Sequence, residues 1–233
     1  MNISDLKSII LDLFFPNRCP LCGKVVNWQI SYCDKCYENL SRTGDELCHG
    51  CGNIASSCSC DEENFSFLRC YAAFYYEDVV KSAIVYLKHT PNDIFPGIVA
   101  EKILQDMESD CYKFKADCVV PVPMAKLKRN QRGFNQADVL AKALADALDI
   151  PLEANVLKKR NSLVAQHELT AESRRRNVKH LYEKTDTDKL KGKIVILCDD
   201  VMTTGSTLNE CSKLLIEMGT AAVIIAVAAT TIK

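Results

Sequence analysis

The sequence has no run of about 20 apolar residues, the length a membrane-crossing helix requires. The candidate membrane segment, Ile9–Pro16, is far too short and is interrupted by Asp12. It also lacks a basic leader and a small-residue cleavage site, so it reads as a short amphipathic helix packing on its own protein, not a signal peptide. Charge of one sign is missing too: 29 Lys and Arg face 30 Asp and Glu, a net charge of −1 with no global polyelectrolyte signal. Aromatic residues are 7% of the chain, with a single Trp, and no stacking platform of the kind single-strand binders use is visible. No low-complexity stretch is present. What remains is the composition of a soluble globular protein, 48% hydrophobic and 25% charged. Its 233 residues suffice for one large domain, or a medium one with a small one.

Cysteine, by contrast, is abundant: thirteen residues, an odd number. With no export signal in the sequence, a disulfide scaffold is not expected, and metal binding is the usual alternative. Eight of them fall between Cys19 and Cys60, as Cys19-Pro-Leu-Cys22, Cys33-Asp-Lys-Cys36, Cys48-His-Gly-Cys51 and Cys58-Ser-Cys60. A Cys-x-x-Cys turn offers two thiolates to one ion, and two turns complete a tetrahedron. Gly23 and Gly52 follow two of these turns, where a tight knuckle needs an unusual backbone angle. The spacing gives two structural zinc sites: Cys19, Cys22, Cys33 and Cys36, then Cys48, Cys51, Cys58 and Cys60. The second has the tighter Cys-x-Cys bite; Cys70 or His49 could replace one ligand there, and interleaved pairing of the knuckles also satisfies the spacing. A redox dithiol competes for any one Cys-x-x-Cys, but four clusters in so short a segment argue against it. Trp28, Tyr32 and Tyr37 read as packing within this cysteine-rich unit. The unit has too few large apolar groups to fold without metal. Cys70, Cys111, Cys118, Cys198 and Cys211 lie mostly among apolar neighbours and read as small hydrophobes.

From Phe65 the composition becomes ordinary α/β material. Strands are predicted at Phe67–Tyr76, Asp117–Val122, Ile194–Leu197 and Ala221–Thr231. Helices are predicted at Asp78–His89, Ile98–Met107 and Phe134–Leu148, with Pro91 and Pro96 marking a break. Strands alternating with helices indicate an α/β fold with a parallel-rich sheet. The division falls into residues 1–62, a short helix and a cysteine-rich unit, and residues 63–233, the α/β domain.

Residues 194–207 read Ile-Val-Ile-Leu-Cys-Asp-Asp-Val-Met-Thr-Thr-Gly-Ser-Thr. The apolar run is a strand buried on both faces, and Asp199 and Asp200 follow at its carboxyl end, where open α/β sheets place ligands. Thr203, Thr204, Gly205, Ser206 and Thr207 form the loop entering a helix. Free N–H groups and the helix dipole favour a phosphate there, Gly205 permits close approach, and the hydroxyls add donors. Two further segments carry chemistry. Val119-Val-Pro-Val-Pro123, with Lys126, Lys128, Arg129 and Arg132, suits a second anion, here assigned to Val122, Pro123 and Arg132. Lys158 to Lys179 is polar and basic, with Gln166, Arg174, Arg175 and Asn177. Residues 121–180 hold twelve Lys and Arg against six Asp and Glu, so +6 sits there and about −7 in the rest. That asymmetry fits a polyanionic substrate and fits nucleic acid equally.

The Asp199-Asp200 segment is similar to the phosphoribosyl-pyrophosphate (PRPP) signature of the type I phosphoribosyltransferases. The order of motifs extends the likeness over nearly the whole chain: Phe14-Phe15-Pro16, the cysteine knuckles, Tyr86-Leu-Lys88, Val120-Pro-Val-Pro123, Arg132-Gly-Phe-Asn-Gln-Ala137, Gln166 to Asn177, and the Asp pair. Together these resemble the ComF family of competence-associated proteins, a double zinc ribbon fused to a phosphoribosyltransferase domain. The resemblance implies a type I phosphoribosyltransferase fold with acids on the ribose hydroxyls, the 5′-phosphate on Thr203–Thr207, and pyrophosphate with magnesium near Arg132. It also implies a mobile flap at Gln166, Arg174, Arg175 and Asn177. Implied too are a cytoplasmic role in single-stranded DNA uptake and helicase and recombination-mediator partners, which would place it at the inner face of the membrane. Transferase, competence factor handling single-stranded DNA, and non-catalytic PRPP regulator all remain open. No residue stands out as a general base; His167 and Glu168 are candidates.

Overall fold

The structure, a computed structural model, describes residues 16–27, 29–43, 47–48, 55, 58, 65–110, 114–160, 181–185 and 188–231. A cysteine knuckle comes first, followed by α1 (Asp34–Glu38). The main body then runs β1 (Arg69–Tyr75), α2 (Asp78–His89), α3 (Ile94–Ser109), β2 (Cys118–Pro121), α4 (Lys126–Arg132) and α5 (Gln136–Leu148). It continues through β3 (Leu157–Lys159), β4 (Tyr182–Lys184), β5 (Ile194–Met202), α6 (Ser206–Glu217) and β6 (Ala222–Thr230). Four strands form one wholly parallel sheet in the order β1-β6-β5-β2, and β3 and β4 make a separate antiparallel pair.

Alternation along the strands divides the core in two. Ile196 and Cys198 of β5, with Ile224 and Ala226 of β6, face α2, α3 and α5. Val195 and Leu197, with Val223 and Ile225, face α6 and the β3–β4 pair. All nine residues of β6 are buried, which explains its unbroken apolar sequence. Each sheet edge carries a short contact: Arg42 bridges antiparallel to Phe74 on β1, and Leu152 bridges in parallel to Val119 on β2.

Several elements depart from the sequence expectation. α3 begins at Ile94, because Pro96 sits in its first turn, where a missing N–H costs nothing. The basic stretch before Gly133 is a short exposed helix, α4, ended by Gly133 at φ +86°. α5 starts at Gln136 with Asn135 as its cap, the Asn135 side chain accepting the Ala137 N–H at 3.4 Å. β5 does not stop at Leu197: its pairing with β6 continues to Met202 opposite Thr230 and carries both acids inside the strand.

The first knuckle is not a separate bead. Cys19 and Leu21 have no exposed surface and share the core with Val80, Ile84 and Leu87 of α2 and Phe95 of α3. No helix among the described residues is long and apolar enough to cross a membrane.

Candidate functional site

The site forms at the carboxyl ends of β2 and β5. Successive residues of a strand point to opposite faces, so running β5 through the acids separates them. Asp200 lies on the face of α2 and α5. Its Oδ2 accepts from Gln136 Nε2 at 2.9 Å and faces Lys88 Nζ at 3.1 Å, while its Oδ1 accepts the Val201 N–H at 2.8 Å. Asp199 lies on the other face, towards Lys159 of β3 and Tyr182 of β4. Its Oδ1 accepts the Asp200 N–H at 2.9 Å. Burial, then the neighbouring Asp200 charge, push the Asp199 carboxyl up to about 8, against the pull of the Asp200 N–H, Lys159 and Lys88. Lys159 donates to the Tyr182 hydroxyl at 2.7 Å. Burial lowers the Lys159 ammonium, opposed chiefly by attraction to Asp199. Burial also raises the Tyr182 phenol. Asp200 is thus paired with Lys88 on its side of the sheet, while Asp199 feels the Lys159 charge at longer range.

The loop after β5 presents the second part. Thr203 and Thr204 are exposed, Ser206 and Thr207 half-buried, and the Thr204 and Ser206 hydroxyls lie 2.9 Å apart. Gly205 caps α6 at φ +71° and, having no side chain, puts no cap on the first-turn N–H groups. Its place is also tight: a Cβ there would stand 2.9 Å from Met202 Cε and 3.3 Å from Phe65 Cε1. The sequence therefore keeps glycine for both angle and space, and leaves donors at a helix N-terminus facing outward.

The third part is the proline turn after β2. The Val122 N–H donates to the Cys198 carbonyl at 2.8 Å, which pins the turn against β5 one residue before Asp199. Asn135 Nδ2 donates to the Val122 carbonyl at 3.0 Å and to Asp138 Oδ1 at 2.8 Å. Arg132 donates to Gln136 Oε1 at 2.6 Å, so this cation reaches the acid site through Gln136. Arg129 pairs with Asp138 at 3.0 Å, and Lys126 and Lys128 are exposed on α4.

The structure brings Val122, Arg132, Asp199, Asp200 and the Thr203–Thr207 loop to one end of the sheet. Gln166, Arg174, Arg175 and Asn177, like His167 and Glu168, lie outside the described residues. The chain does leave for residues 161–180 and return at neighbouring points, the Arg160 N–H donating to the Leu181 carbonyl at 2.8 Å. Lys88, Lys159 and Gln136 were not given site roles from the sequence, although Lys88 and Gln136 stand within the motifs above and Lys159 within the basic Lys158 to Lys179 segment.

At the first knuckle the Sγ atoms of Cys19, Cys22, Cys33 and Cys36 all lie within 4.8 Å of one another. Cys22 to Cys33 is 3.9 Å and Cys19 to Cys33 is 3.6 Å. A tetrahedral zinc with bonds of about 2.3 Å sets an edge of about 3.8 Å, so these four sulfurs fit the ion closely. Gly23 takes φ +73°, as the tight turn requires. Of the second set, Cys51 and Cys60, like His49, lie outside the described residues. Cys70 is buried in the sheet core with its sulfur 3.4 Å from Met202 Sδ. Cys118, Cys198 and Cys211 are buried as expected, and Cys111 lies outside the described residues.

Residues 97–232, more than half of the chain, match the model of the phosphoribosyl transferase domain. The chain belongs to that family. Residues 10–72 match the double zinc ribbon domain. Competence protein F of Haemophilus influenzae is 40% identical over 104 residues, 44% of this chain and 45% of that protein. DNA utilization protein YhgH of Salmonella typhimurium is 27% identical over 208 residues, 88% of this chain and 86% of its own. Competence protein ComFC of Bacillus subtilis is 25% identical over 201 residues, 82% and 80%. The expected fold, a phosphoribosyltransferase domain behind a zinc ribbon, and the likeness to the ComF family are both borne out.

Proposed function

We propose that this chain binds PRPP and transfers its phosphoribosyl group to an acceptor, with release of pyrophosphate, in a cell that takes up single-stranded DNA. The observation that carries the reading is the joint geometry of β5 and α6: two adjacent acids on opposite faces of the strand end, Asp200 paired with Lys88, directly before a helix N-terminus capped by glycine. The 5′-phosphate rests on the N–H groups and hydroxyls of Thr203–Thr207. Asp199 and Asp200 hold the ribose hydroxyls. The bond from C1 to the pyrophosphate oxygen breaks with its electron pair leaving on pyrophosphate. The acceptor's lone pair then bonds to C1, and the acceptor's proton passes to solvent. Positive charge develops on the ribose, and the carboxylates of Asp199 and Asp200 stabilise it. Val122, Pro123 and Arg132 line the leaving-group side, where magnesium carried by the substrate's phosphates would neutralise their charge. Of the Lys158–Lys179 flap segment, Lys158 and Lys159 instead belong to strand β3, paired with β4. The flap reading of Gln166, Arg174, Arg175 and Asn177 is supported by the residues on either side of them, since Lys159 and Tyr182 stand towards Asp199.

The zinc ribbon is structural: four thiolates close the first tetrahedron and leave no open position. The competence and DNA-utilization names of the relatives support the setting in DNA uptake. A second reading, a non-catalytic factor that binds single-stranded DNA, is favoured by one observation, the exposed Lys126 and Lys128 of α4 at the mouth of the site. Mass spectrometry of labelled PRPP incubated with the protein, a cell metabolite mixture and single-stranded DNA decides between them. Transfer of ribose phosphate with pyrophosphate release supports the enzyme. Binding of PRPP without turnover, alongside DNA binding that weakens steeply with salt, supports the factor.

A further inference from the structure

We infer that the first zinc knuckle is part of the ribose site, acting through Lys88 as a positioning residue. The inference rests on the PRPP reading above. It starts from α2, whose buried stripe is Val80, Ala83, Ile84 and Leu87. Lys88 stands four residues after Ile84 and eight after Val80, so it prolongs that stripe towards the sheet end, where its Nζ meets Asp200 Oδ2 at 3.1 Å. A twelve-residue helix is marginal alone and takes its position from what it packs on.

Part of what α2 packs on is the knuckle. Cys19 and Leu21 are fully buried in the same core as Val80, Ile84 and Leu87. Gly23, at the tip of the turn, faces the Tyr86 ring, with an added Cβ falling 3.7 Å from Tyr86 Cδ2. Tyr86 and Lys88 lie two residues apart on α2, one facing metal knuckle, the other facing acid. Asp200 is therefore clamped from two sides. Gln136, steadied by Arg132, holds it from α5, and Lys88 holds it from a helix seated on the zinc turn. Metal loss would release Cys19 and Leu21, free that side of α2, and take Lys88 from Asp200. By linkage, a ligand that needs the clamp also tightens the metal.

The test uses the full-length zinc protein and magnesium PRPP. Tyr86→Ala should keep its zinc yet lose PRPP affinity, and Lys88→Met should lose about tenfold, within the range of such couplings. The double variant should be no weaker than Lys88→Met, because both changes act along one path. Lys88→Arg should restore most of the affinity, which a general loss of folding would not allow. In the wild type, saturating PRPP should slow zinc release to a chelator, and this readout needs no variant. Equal PRPP affinity in Tyr86→Ala and wild type, additive losses, or zinc release indifferent to PRPP would each overturn the coupling while leaving the PRPP reading intact. Failure of the zinc-loaded wild type to bind PRPP would overturn the site reading, and the coupling with it.

Discussion

Gly205→Ala tests the phosphate loop from two directions at once. Its backbone sits at φ +71°, a left-handed angle that costs an L-residue about 1–2 kcal/mol. The new Cβ would also stand 2.9 Å from Met202 Cε and 3.3 Å from Phe65 Cε1. The nearer atom is the free end of a flexible methionine and can move away cheaply; Phe65 is a rigid ring and must give by a few tenths of an ångström. The sum is a loss of roughly 2 kcal/mol, the angle contributing most. Gly97 is the control. It lies in α3 with nothing within 4 Å of an added Cβ, so Gly97→Ala should stabilise by about 0.5–1 kcal/mol. Urea denaturation followed by far-UV circular dichroism should move the two midpoints in opposite directions. Relief of the strain would turn the first-turn N–H groups of α6, so PRPP affinity should fall in Gly205→Ala and hold in Gly97→Ala. Equal stability of the two variants, with unchanged PRPP affinity, would refute the loop geometry.

Three more outcomes are expected. Asp199 keeps a proton in the folded, unliganded chain up to about 8, whereas the unfolded chain loses it near about 4. That stabilisation is complete below the unfolded value and is lost as pH rises through the folded one. The urea midpoint should fall across this window, less steeply in Asp199→Asn; an identical slope in the variant would count against it. Gln136→Leu removes a buried donor to Asp200 and the acceptor of Arg132, so stability should drop by about 1–3 kcal/mol, read from the same denaturation curves. Cys36→Ser should lower the measured zinc content and the thermal midpoint together, because Cys36 lies in the core shared with α2; full zinc retention would show that this sulfur is not a ligand.

The parts legible in the sequence were those written in one continuous segment. The knuckle Cys19-Pro-Leu-Cys22 and the Asp199 to Thr207 run each carry their chemistry within a few residues. The lysine clamps were not legible, since Lys88 meets Asp200 only after α2 has packed on the sheet, and Lys159 nears Asp199 only through the β3–β4 pair. The opposite facing of the two acids was hidden by ending the strand at Leu197, where the apolar run stops. Pairing with β6, not apolar character, extends β5 to Met202, and only then does strand alternation send neighbouring carboxylates to opposite faces. Pro96 misled for a similar reason: it marks a break in a helix interior but a permitted residue in a first turn.

Calorimetric titration of magnesium PRPP into the zinc-loaded protein and into Asp199→Asn/Asp200→Asn tests the central claim most directly. The account predicts binding by the wild type and its loss in the double variant, with far-UV circular dichroism unchanged. Equal affinity in both, or no binding to the wild type, would contradict it.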